Sequence, residues 1–476
     1  MRTIGRYAVL GLLGRGGMGA VFKAAMPRTG RVVAVKLLLP AEQLAATADM
    51  AELRRGFYRE ARLMASIRHP GVAQVLDVDE DASGRPFFVM EYYCNNLGAQ
   101  LGEGPRVEEP CRRLGVEQAL LVARQLAAAL ARLHHEGILH RDVKPFNLML
   151  AERPGLGTGA DFGGGCPLDE VKLIDFGLSR LRGEREAGRP RGAVVGSPYY
   201  AAPEQEADPG RADERADVFS AGVTLFRCLT GRLPQEGRSA SSLRTGLDAS
   251  FDAFFERCCH VDPARRPASA RSLLAELDEL AAHWARLRQA ACSLPLEGMS
   301  PEPHGPAPAV WAQAAALRSR PLRQPLRGAR ERFGLDALWR PVACLPERFV
   351  PLGGAVLRDT QSGRVWERGG SPYALTLAGA RAYADRLNAE GFAGRRGWRL
   401  PTVDELATLL LPEPDLRQLC LPGLFSPVQR RLWSADAKSF VAAWYVDAEH
   451  GFVWWQDATC EFHVRCVTSQ EPATGV

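Results

Sequence analysis

The first ninety residues carry short apolar runs interrupted by glycine and other turn residues. Three of these runs are rich in aliphatic and β-branched side chains and predict strands at Tyr7–Leu13, Ala20–Ala24 and Arg31–Leu37. A charged segment from Met50 to Ile67 predicts a helix, and Pro86–Glu91 predicts a further strand. The beginning of the chain is therefore expected to form a small β-rich lobe.

The pattern becomes helical at Val116. From there to Leu133, apolar residues recur at spacings of three and four, which is the period of an amphipathic helix. A small β-rich lobe followed by a larger helical lobe indicates an α+β fold for this part of the chain.

The composition changes near residue 286. Proline, alanine and arginine dominate from there to residue 347, as in the segment Met299–Pro308. Such a stretch is expected to bury too little apolar surface to become ordered, so we interpret residues 286–347 as a flexible linker. From residue 348 to residue 470, short aromatic-rich strands and one helix, Ala378–Asn388, predict a second compact α+β domain.

The overall composition limits the class of protein. The 476 residues are too many for one ordinary core, and 46% hydrophobic with 24% charged residues is typical of soluble globular proteins. The net charge of +5 is mild, so no nucleic-acid partner is expected. There is no stretch of about 18 uncharged apolar residues, so no membrane span is expected. Eleven cysteines without a CxxC pair are typical of reduced thiols, which predicts a cytoplasmic location.

A glycine-rich turn lies between the first two predicted strands. Gly14, Gly16, Gly19 and Val21 fit the pattern GxGxxGxV, which is weak evidence alone because dinucleotide-binding turns share these glycines. A dinucleotide-binding fold requires a helix directly after the glycines, whereas strands are predicted on both sides here. The pattern therefore favours a hairpin loop over phosphates, whose oxygens can approach the backbone because glycine has no Cβ.

The third predicted strand contains Lys36 directly after the apolar run Val33–Val35. A lysine in such a run requires an acidic partner if it is buried, and Glu60 on the following predicted helix is the candidate. Each residue alone has a simpler interpretation, Lys36 as an edge-strand lysine and Glu60 as part of a solvated helix face.

The strongest single signal is the segment HRDVKPFN, which spans residues 140–147. In this motif Asp142 is expected to accept the proton of a substrate hydroxyl, Lys144 to hold a γ-phosphate and Asn147 to bind Mg²⁺. A charged surface loop is the alternative interpretation, which the surrounding motifs disfavour.

The sequence Asp-Phe-Gly, which can supply a metal-binding aspartate, occurs twice. Asp175 follows Val171–Ile174, a predicted strand that can hold it rigidly, whereas Asp161 lies in a glycine-rich stretch. A metal ligand on a glycine-rich loop would lack preorganisation. We therefore assign Asp175 as the metal ligand and Asp161 to an inserted loop.

In order and spacing, these motifs resemble those of bacterial eukaryotic-type (Hanks-type) Ser/Thr protein kinases over residues 1–285. The resemblance implies a two-lobed protein-kinase fold, ATP with Mg²⁺ or Mn²⁺ as cofactors, and a protein Ser or Thr hydroxyl as acceptor. It also implies bacterial signalling as the context. The implied catalytic residues are Lys36, Glu60, Asp142, Lys144 and Asn147, with Asn147 and Asp175 as metal ligands. The implied nucleotide-binding residues are Gly14, Gly16, Gly19, Val21, Ala34, Lys36, Met90, Glu91 and Tyr93, of which Met90 is the gatekeeper and Glu91–Tyr93 the hinge.

The same resemblance gives structural roles to residues further along the chain. Asp217 and Gly222 match the helix that supports the catalytic loop, and Arg266 matches the arginine that pairs with Glu204. Between Ser179 and Ser197 there are five arginines but no Ser, Thr or Tyr, so regulation by phosphorylation in the middle of that loop is in doubt. Our hypothesis is that the loop is ordered by other means or by phosphorylation of Ser197.

The C-terminal region resembles a second family. Motifs such as Gly397–Leu406, Leu432–Ser434 and Ala443–Gly451 resemble those of the Lcl C-terminal domain. This resemblance implies a C-type-lectin-like fold and a ligand-binding or sensory role with an unknown ligand or protein partner. Large aromatic residues usually fill the core of a small domain, so Trp398 and Trp433 are predicted to be buried. In contrast, one residue of the adjacent pair Trp454–Trp455 is predicted to be exposed, because neighbouring strand residues face opposite sides.

Two functions remain open at this point. In the first, the chain is an active protein Ser/Thr kinase with a C-terminal recognition domain. In the second, it is a nucleotide-binding pseudokinase scaffold, and its C-terminal domain binds a partner or ligand. The complete set of motif residues favours the first function, because pseudokinases usually lack at least one of them.

Overall fold

The computed structural model describes residues 2–16, 18–42, 46, 49–104, 106–151, 170–176, 180–181, 199–208, 212–292, 309–310, 317–344, 349–412, 419–427 and 429–470. The described residues form two compact units, one ending at residue 292 and the other starting at residue 309. Each unit has its own buried apolar cluster.

The first unit begins with an antiparallel sheet of six strands in the order β1-β2-β3-β4-β6-β5. These strands are β1 (Thr3–Ile4), β2 (Tyr7–Arg15), β3 (Gly19–Ala25), β4 (Val32–Leu38), β5 (Val75–Glu80) and β6 (Pro86–Glu91). All four predicted strands are confirmed. The additional strand β5 has no continuous apolar run and mixes apolar with acidic residues, and it pairs with β6 at the sheet edge.

Strand β4 is apolar on both faces because both faces are covered. Val33, Val35 and Leu37 pack on one side, whereas Ala34 and Leu38 pack on the other. Side chains alternate between faces along a strand, so Lys36 projects on the same side as Ala34 and Leu38. This side is the one that contacts Phe57 and Met64 of the following helix.

Helix α1 (Met50–Ser66) begins at the N-cap Asp49, whose side chain accepts a hydrogen bond from the Ala51 amide. Its buried residues are Phe57, Glu60, Ala61 and Met64, a spacing that forms one stripe along the helix. Glu60 therefore lies on the packed face, and the simpler interpretation of a solvated glutamate is wrong.

The rest of the first unit is mainly helical. Its helices are α2 (Leu97–Leu101), α3 (Val116–His135), α4 (Pro203–Ala207), α5 (Glu214–Thr230), α6 (Ala240–Leu243), α7 (Ala249–Cys258) and α8 (Ala270–Cys292), with 3₁₀ turns at Pro145–Asn147 and Pro263–Arg265. Short strands β7 (Asn95–Asn96), β8 (Ile138–Leu139), β9 (Leu148–Ala151), β10 (Glu170–Leu173) and β11 (Arg180–Leu181) lie between them. The predicted helix at Val116 is confirmed, and α5 is buried along most of its length.

The second unit contains two small antiparallel sheets and a strand pair. The strands are β12 (Ala309–Val310), β13 (Ala343–Cys344), β14 (Phe349–Pro351), β15 (Val356–Asp359), β16 (Val365–Glu367), β17 (Arg431–Ala437), β18 (Ala442–Asp447), β19 (Phe452–Asp457) and β20 (Val467–Thr468). The helices are α9 (Ala329–Phe333), α10 (Leu377–Glu390), α11 (Val403–Ala407) and a 3₁₀ turn, Phe392–Gly394. The predicted helix Ala378–Asn388 lies within α10. None of the helices in the described part of the chain is long and apolar enough to cross a membrane.

The structure shortens the predicted linker at both ends. Helix α8 continues to Cys292, and residues 317–344 are part of the second unit, with Ala329 and Phe333 in its buried cluster. The Arg318 guanidinium donates to Asp404 and to both Asp436 oxygens, each at 2.7 Å. The prediction of disorder rested on composition alone. Composition does not reveal that Arg318 binds carboxylates that lie far away in the sequence.

The aromatic predictions have mixed outcomes. Trp398 and Trp433 are buried, as predicted. Trp454 and Trp455 are both half-buried, so the prediction of one exposed ring is wrong. The reason is that Trp339, from the predicted linker, contacts Trp454 edge-on, and Lys438 lies over the Trp455 ring.

Among the cysteines that the structure describes, six are free thiols and two are disulfide-bonded. Cys111, Cys228, Cys258, Cys259, Cys420 and Cys466 are free thiols. Cys94 and Cys460 each take part in a disulfide bond, which departs from the expectation of reduced thiols.

We predict that Arg318→Met lowers the free energy of unfolding of the second unit by about 3 kcal/mol, because it leaves the buried Asp436 carboxylate without its cation. Thermal unfolding of the full chain by calorimetry measures the effect. Arg320→Met is the matched control, since that side chain is exposed two residues away. Equal midpoints for the two variants would contradict the structural role of Arg318.

Candidate active site

Lys36 lies at the centre of an ion network. Its Nζ is 2.6 Å from Glu60 Oε1 and 3.0 Å from Asp175 Oδ1. The side chains of Lys36 and Glu60 are only 15% and 5% exposed. Burial by itself would lower the pKa of Lys36, but the charges of Glu60 and Asp175 outweigh it and raise that pKa. The ammonium group therefore stays protonated at neutral pH.

Asp175 is held at the end of strand β10 by contacts on both sides. The preceding residue, Ile174, donates its amide to the Asn147 carbonyl at 3.0 Å and accepts from His140 at 3.1 Å. The following residue, Phe176, is buried with its ring against His140. Asp175 itself has a φ of 65°, a conformation that costs energy for a residue other than glycine and is kept only by surrounding contacts. The other candidate, Asp161, lies outside the described residues.

Two polar side chains of the HRDVKPFN motif converge on the Asp142 carboxylate. Lys144 Nζ is 2.8 Å from Asp142 Oδ2, and Asn147 Nδ2 is 3.0 Å from the same oxygen. Asn147 also donates to the Asp142 carbonyl at 2.7 Å. Asp142 is 8% exposed, so these contacts fix its orientation in a nearly buried site.

Asp217 on helix α5 anchors the loop that contains the HRDVKPFN motif. The buried Asp217 carboxylate accepts the backbone amides of His140 and Arg141 at 2.9 and 2.7 Å, and His134 Nε2 lies 2.9 Å away. Burial opposes ionisation, but the hydrogen bond and charge of His134 keep the pKa of Asp217 below its ordinary value. Arg141, with a φ of 68°, is held in a strained conformation by the same contacts.

Gly222 and Arg266 also occupy their expected places. A Cβ on Gly222 would lie 2.8 Å from the Cβ of Cys258, so only glycine lets α5 pack against α7. Arg266 binds both oxygens of Glu204, at 2.6 and 2.9 Å, with its side chain fully buried. A bidentate pair of this kind fixes the segment after residue 199 to the helical lobe. Ser197 and the arginines at positions 182, 185, 189 and 191 lie outside the described residues.

The residues predicted to bind the nucleotide lie on adjacent strands. The Gly16 amide donates to the Gly19 carbonyl at 2.8 Å, which closes the hairpin between β2 and β3. A Cβ on Gly19 would lie 2.4 Å from the Leu37 carbonyl oxygen, so glycine is required there. Gly14 pairs with Val21, Val21 with Lys36, and Ala34 with Met90.

The predicted hinge follows strand β6. Met90 is 8% exposed, and the Tyr93 hydroxyl donates to Glu91 Oε2 at 2.9 Å. Arg31 also donates to Glu91, at 2.9 Å. The side chain of Glu91 is thus engaged by its neighbours.

The sequence analysis did not identify the supporting roles of two residues, His134 and Glu103. His134 supports Asp217, and a histidine near a helix C-terminus has the alternative explanation of a favourable dipole contact. Glu103 is buried, accepts from the Tyr200 hydroxyl at 2.5 Å and has its pKa raised by burial. No sequence signal connects these two residues, which are far apart along the chain.

Family comparison gives this geometry its context. The protein kinase domain family matches residues 7–277, more than half of the chain. The chain belongs to the protein kinase family. The Lcl C-terminal domain family matches residues 355–468 of this kinase.

Named bacterial kinases are similar to this one over the same region. Serine/threonine-protein kinase PknK of Mycobacterium tuberculosis is 35% identical over 290 residues, which cover 56% of this chain and 23% of the relative. Serine/threonine-protein kinase pkn2 of Myxococcus xanthus is 33% identical over 319 residues, 63% of this chain and 35% of the relative. This kinase therefore spans about a quarter to a third of the length of these relatives. The crystal structure of the Mycobacterium tuberculosis PknI kinase domain is 27% identical, with a TM-score of 0.42, over 58% of this chain and 97% of that one.

We predict that Asp217→Asn lowers the free energy of unfolding of the kinase domain by about 2 kcal/mol at pH 7, because a buried amide donor would face the donors that Asp217 now accepts. The folded pKa is lowered, so this stabilisation is present above the unfolded value of about 3.9 and is lost as the pH falls below it. Urea unfolding across pH 3–7 measures both effects.

The control for this experiment is Asp213→Asn, which changes the exposed N-cap of the same helix, where Asn and Asp are equally suitable. If the unfolding free energy of Asp217→Asn differed from that of wild type by the same amount at every pH, the titration of Asp217 would be contradicted.

Proposed function

We propose that this chain is an ATP-dependent protein Ser/Thr kinase that transfers the γ-phosphate of Mg-ATP to a Ser or Thr hydroxyl. The observation that carries the proposal is the ion network in which Lys36 contacts both Glu60 and Asp175. It links the sheet, helix α1 and the strand that precedes Asp175, as a cleft that binds a nucleotide requires.

In this proposal some groups around the cleft neutralise the charge of the nucleotide, and others position it. Lys36 holds the α- and β-phosphates, and Glu60 keeps its ammonium in place. The backbone of the hairpin at Gly14–Gly19 covers the phosphates, and the hinge after Met90 binds adenine. Positioning and charge neutralisation supply the rate enhancement, without a covalent intermediate on the protein.

The metal ligands in this proposal are Asp175 and Asn147. Both offer oxygen atoms, the ligand type that Mg²⁺ and Mn²⁺ prefer, and Mg²⁺ usually combines one or two protein ligands with phosphate oxygens and waters. The Asn147 amide nitrogen donates to Asp142, so its oxygen is the atom that serves as a ligand. The metal supplies neutralisation of the charge on the phosphates.

The transfer step itself centres on Asp142. The acceptor oxygen forms a bond to the γ-phosphorus, the bond from that phosphorus to the bridging oxygen of ADP breaks, and the hydroxyl proton passes to the Asp142 carboxylate. Lys144, whose Nζ is 2.8 Å from that carboxylate, holds the γ-phosphate between donor and acceptor in this proposal. The lysine two residues after the aspartate favours Ser and Thr over Tyr, as the family resemblance implies.

The C-terminal domain has a separate role in the proposal. Its match to the Lcl C-terminal domain family supports a recognition module that binds a ligand or a protein partner. A C-type-lectin-like fold and a cytoplasmic location stay predictions. The scaffold alternative gains no support from the site, because the motif residues from Lys36 to Asp175 are all present. They form two groups of short polar contacts, one around Lys36 and one around Asp142.

We predict that Asp142→Asn and Asp175→Asn each reduce phosphate transfer by at least about 100-fold, because they remove the proton acceptor and the metal ligand. Asp161→Asn is the matched control, since it changes the second Asp-Phe-Gly sequence, and it is expected to retain activity. Incorporation of labelled γ-phosphate into the chain and into a generic basic protein measures all three variants.

Full activity of Asp142→Asn would overturn the proposed function. Loss of activity in Asp161→Asn together with retention in Asp175→Asn would reverse the assignment of the metal aspartate.

A further inference from the structure

The second unit contains an open cavity of about 650 Å³. Its lining includes large apolar side chains and side chains with polar groups, which are Phe392, Leu424, Phe425, Glu367, Arg368 and Tyr383. Sites for small molecules usually have volumes of about 300–1,000 Å³ and combine an apolar wall with a few polar groups. The size and the lining of this cavity therefore fit a small-molecule ligand.

Glu367, the last residue of strand β16, is an acidic residue in this lining and is only 2% exposed. Its Oε1 accepts the Tyr383 hydroxyl and its Oε2 accepts the Cys466 amide, each at 2.7 Å. Among the described residues, no lysine, arginine or histidine lies within ion-pair distance of this carboxylate. Burial raises the pKa of Glu367, and the two hydrogen bonds and the charge of Arg465 offset only part of that effect.

Four other buried acids of the same unit show what Glu367 lacks. Each of the four has an arginine or a histidine within ion-pair distance, and they are Asp404, Glu405, Asp436 and Asp447. A buried carboxylate is costly unless a cation compensates it. A carboxylate can accept about four hydrogen bonds, so Glu367 has capacity left for the ammonium group of a ligand.

Arg368 brings the opposite charge to the same cavity. It is exposed, and its Nε donates to the Leu424 carbonyl at 3.0 Å. Among the described residues, no carboxylate lies within ion-pair distance of its guanidinium. Consecutive Cα atoms are about 3.8 Å apart, so one small ligand can reach both Glu367 and Arg368. A simple amine would leave Arg368 without a partner and be repelled by it, whereas a zwitterion provides a partner for both residues.

We propose that this cavity of the C-terminal domain binds a small zwitterion of the amino-acid class, with its ammonium group on Glu367 and its carboxylate on Arg368. An apolar side chain of the ligand packs against Phe392 and Phe425, because burial of apolar surface is favourable. The inference rests on the recognition role proposed for the C-terminal domain, and it adds the site and the class of ligand.

The test is calorimetric titration of the full chain with three related probes. L-Phenylalanine carries both charges, 2-phenylethylamine lacks the carboxylate, and 3-phenylpropanoate lacks the ammonium group. Wild type is expected to bind L-phenylalanine or, in a parallel titration, L-leucine with a Kd of about 1 mM or tighter. It is expected to bind each single-charge probe more weakly than L-phenylalanine.

Two variants assign the two charges of the ligand separately. Glu367→Gln is expected to weaken L-phenylalanine and 2-phenylethylamine by at least about 10-fold and to leave 3-phenylpropanoate unchanged. Arg368→Met is expected to weaken L-phenylalanine and 3-phenylpropanoate by about 3-fold or more, a smaller effect because Arg368 is exposed. The fold should survive both changes, since neither breaks an ion pair of the described residues, and equal thermal midpoints check this. The exposed residues Glu390 and Arg381 give the matched controls Glu390→Gln and Arg381→Met, which should bind like wild type.

Three results would overturn the inference. These are a wild type that binds neither amino acid, a Glu367→Gln and an Arg368→Met variant that both bind like wild type, and variants that weaken all three probes by the same factor. Calorimetry detects binding without phosphate transfer. A chain that binds L-phenylalanine but transfers no phosphate would therefore contradict the proposed kinase activity alone, and an active kinase that binds no amino acid would contradict this inference alone.

Discussion

The contact between Lys36 and Glu60 is the interaction on which the catalytic cleft depends. Its two charges are almost completely removed from water, which is favourable only if each has a partner with good geometry. Lys36 comes from the sheet, Glu60 from helix α1, and Asp175, which also binds Lys36, from the region that follows strand β10. Loss of Lys36 would leave the buried Glu60 carboxylate without compensation. The position of helix α1 and the orientation of Asp175 are therefore tied to one ammonium group.

A second buried carboxylate has the same function for the catalytic loop. Asp217 accepts two successive backbone amides and contacts His134, which fixes the strained residue Arg141 and, through it, the direction of Asp142. Helix α5, which carries Asp217, can pack closely against α7 because of Gly222. The geometry of the loop thus depends on a helix core that contains none of the proposed catalytic residues.

The sequence predicts the parts of this site that local patterns encode. The strand predicted before Asp175 is present, and the apolar run before Lys36 correctly indicates a need for an acidic partner. It does not predict contacts between distant segments, such as Tyr200 with Glu103 or Arg318 with Asp436, because composition and periodicity carry no information about them. For the same reason residues 317–344 were assigned to a linker, and the burial of Trp454 against Trp339 was missed. Strand β5 was missed because its acidic residues weaken the pattern, whereas pairing with β6 at the sheet edge holds it in place.

The most direct measurement of the central claim is the chemical identity of the product. The purified chain is incubated with Mg²⁺, ATP labelled at the γ-phosphorus and an acceptor protein, and mass spectrometry locates the label. The proposed transfer, in which Lys36, Asp142 and Asp175 act together, predicts label on the oxygen of serine or threonine side chains. Label recovered only as unreacted ATP, as inorganic phosphate or on tyrosine would contradict this account.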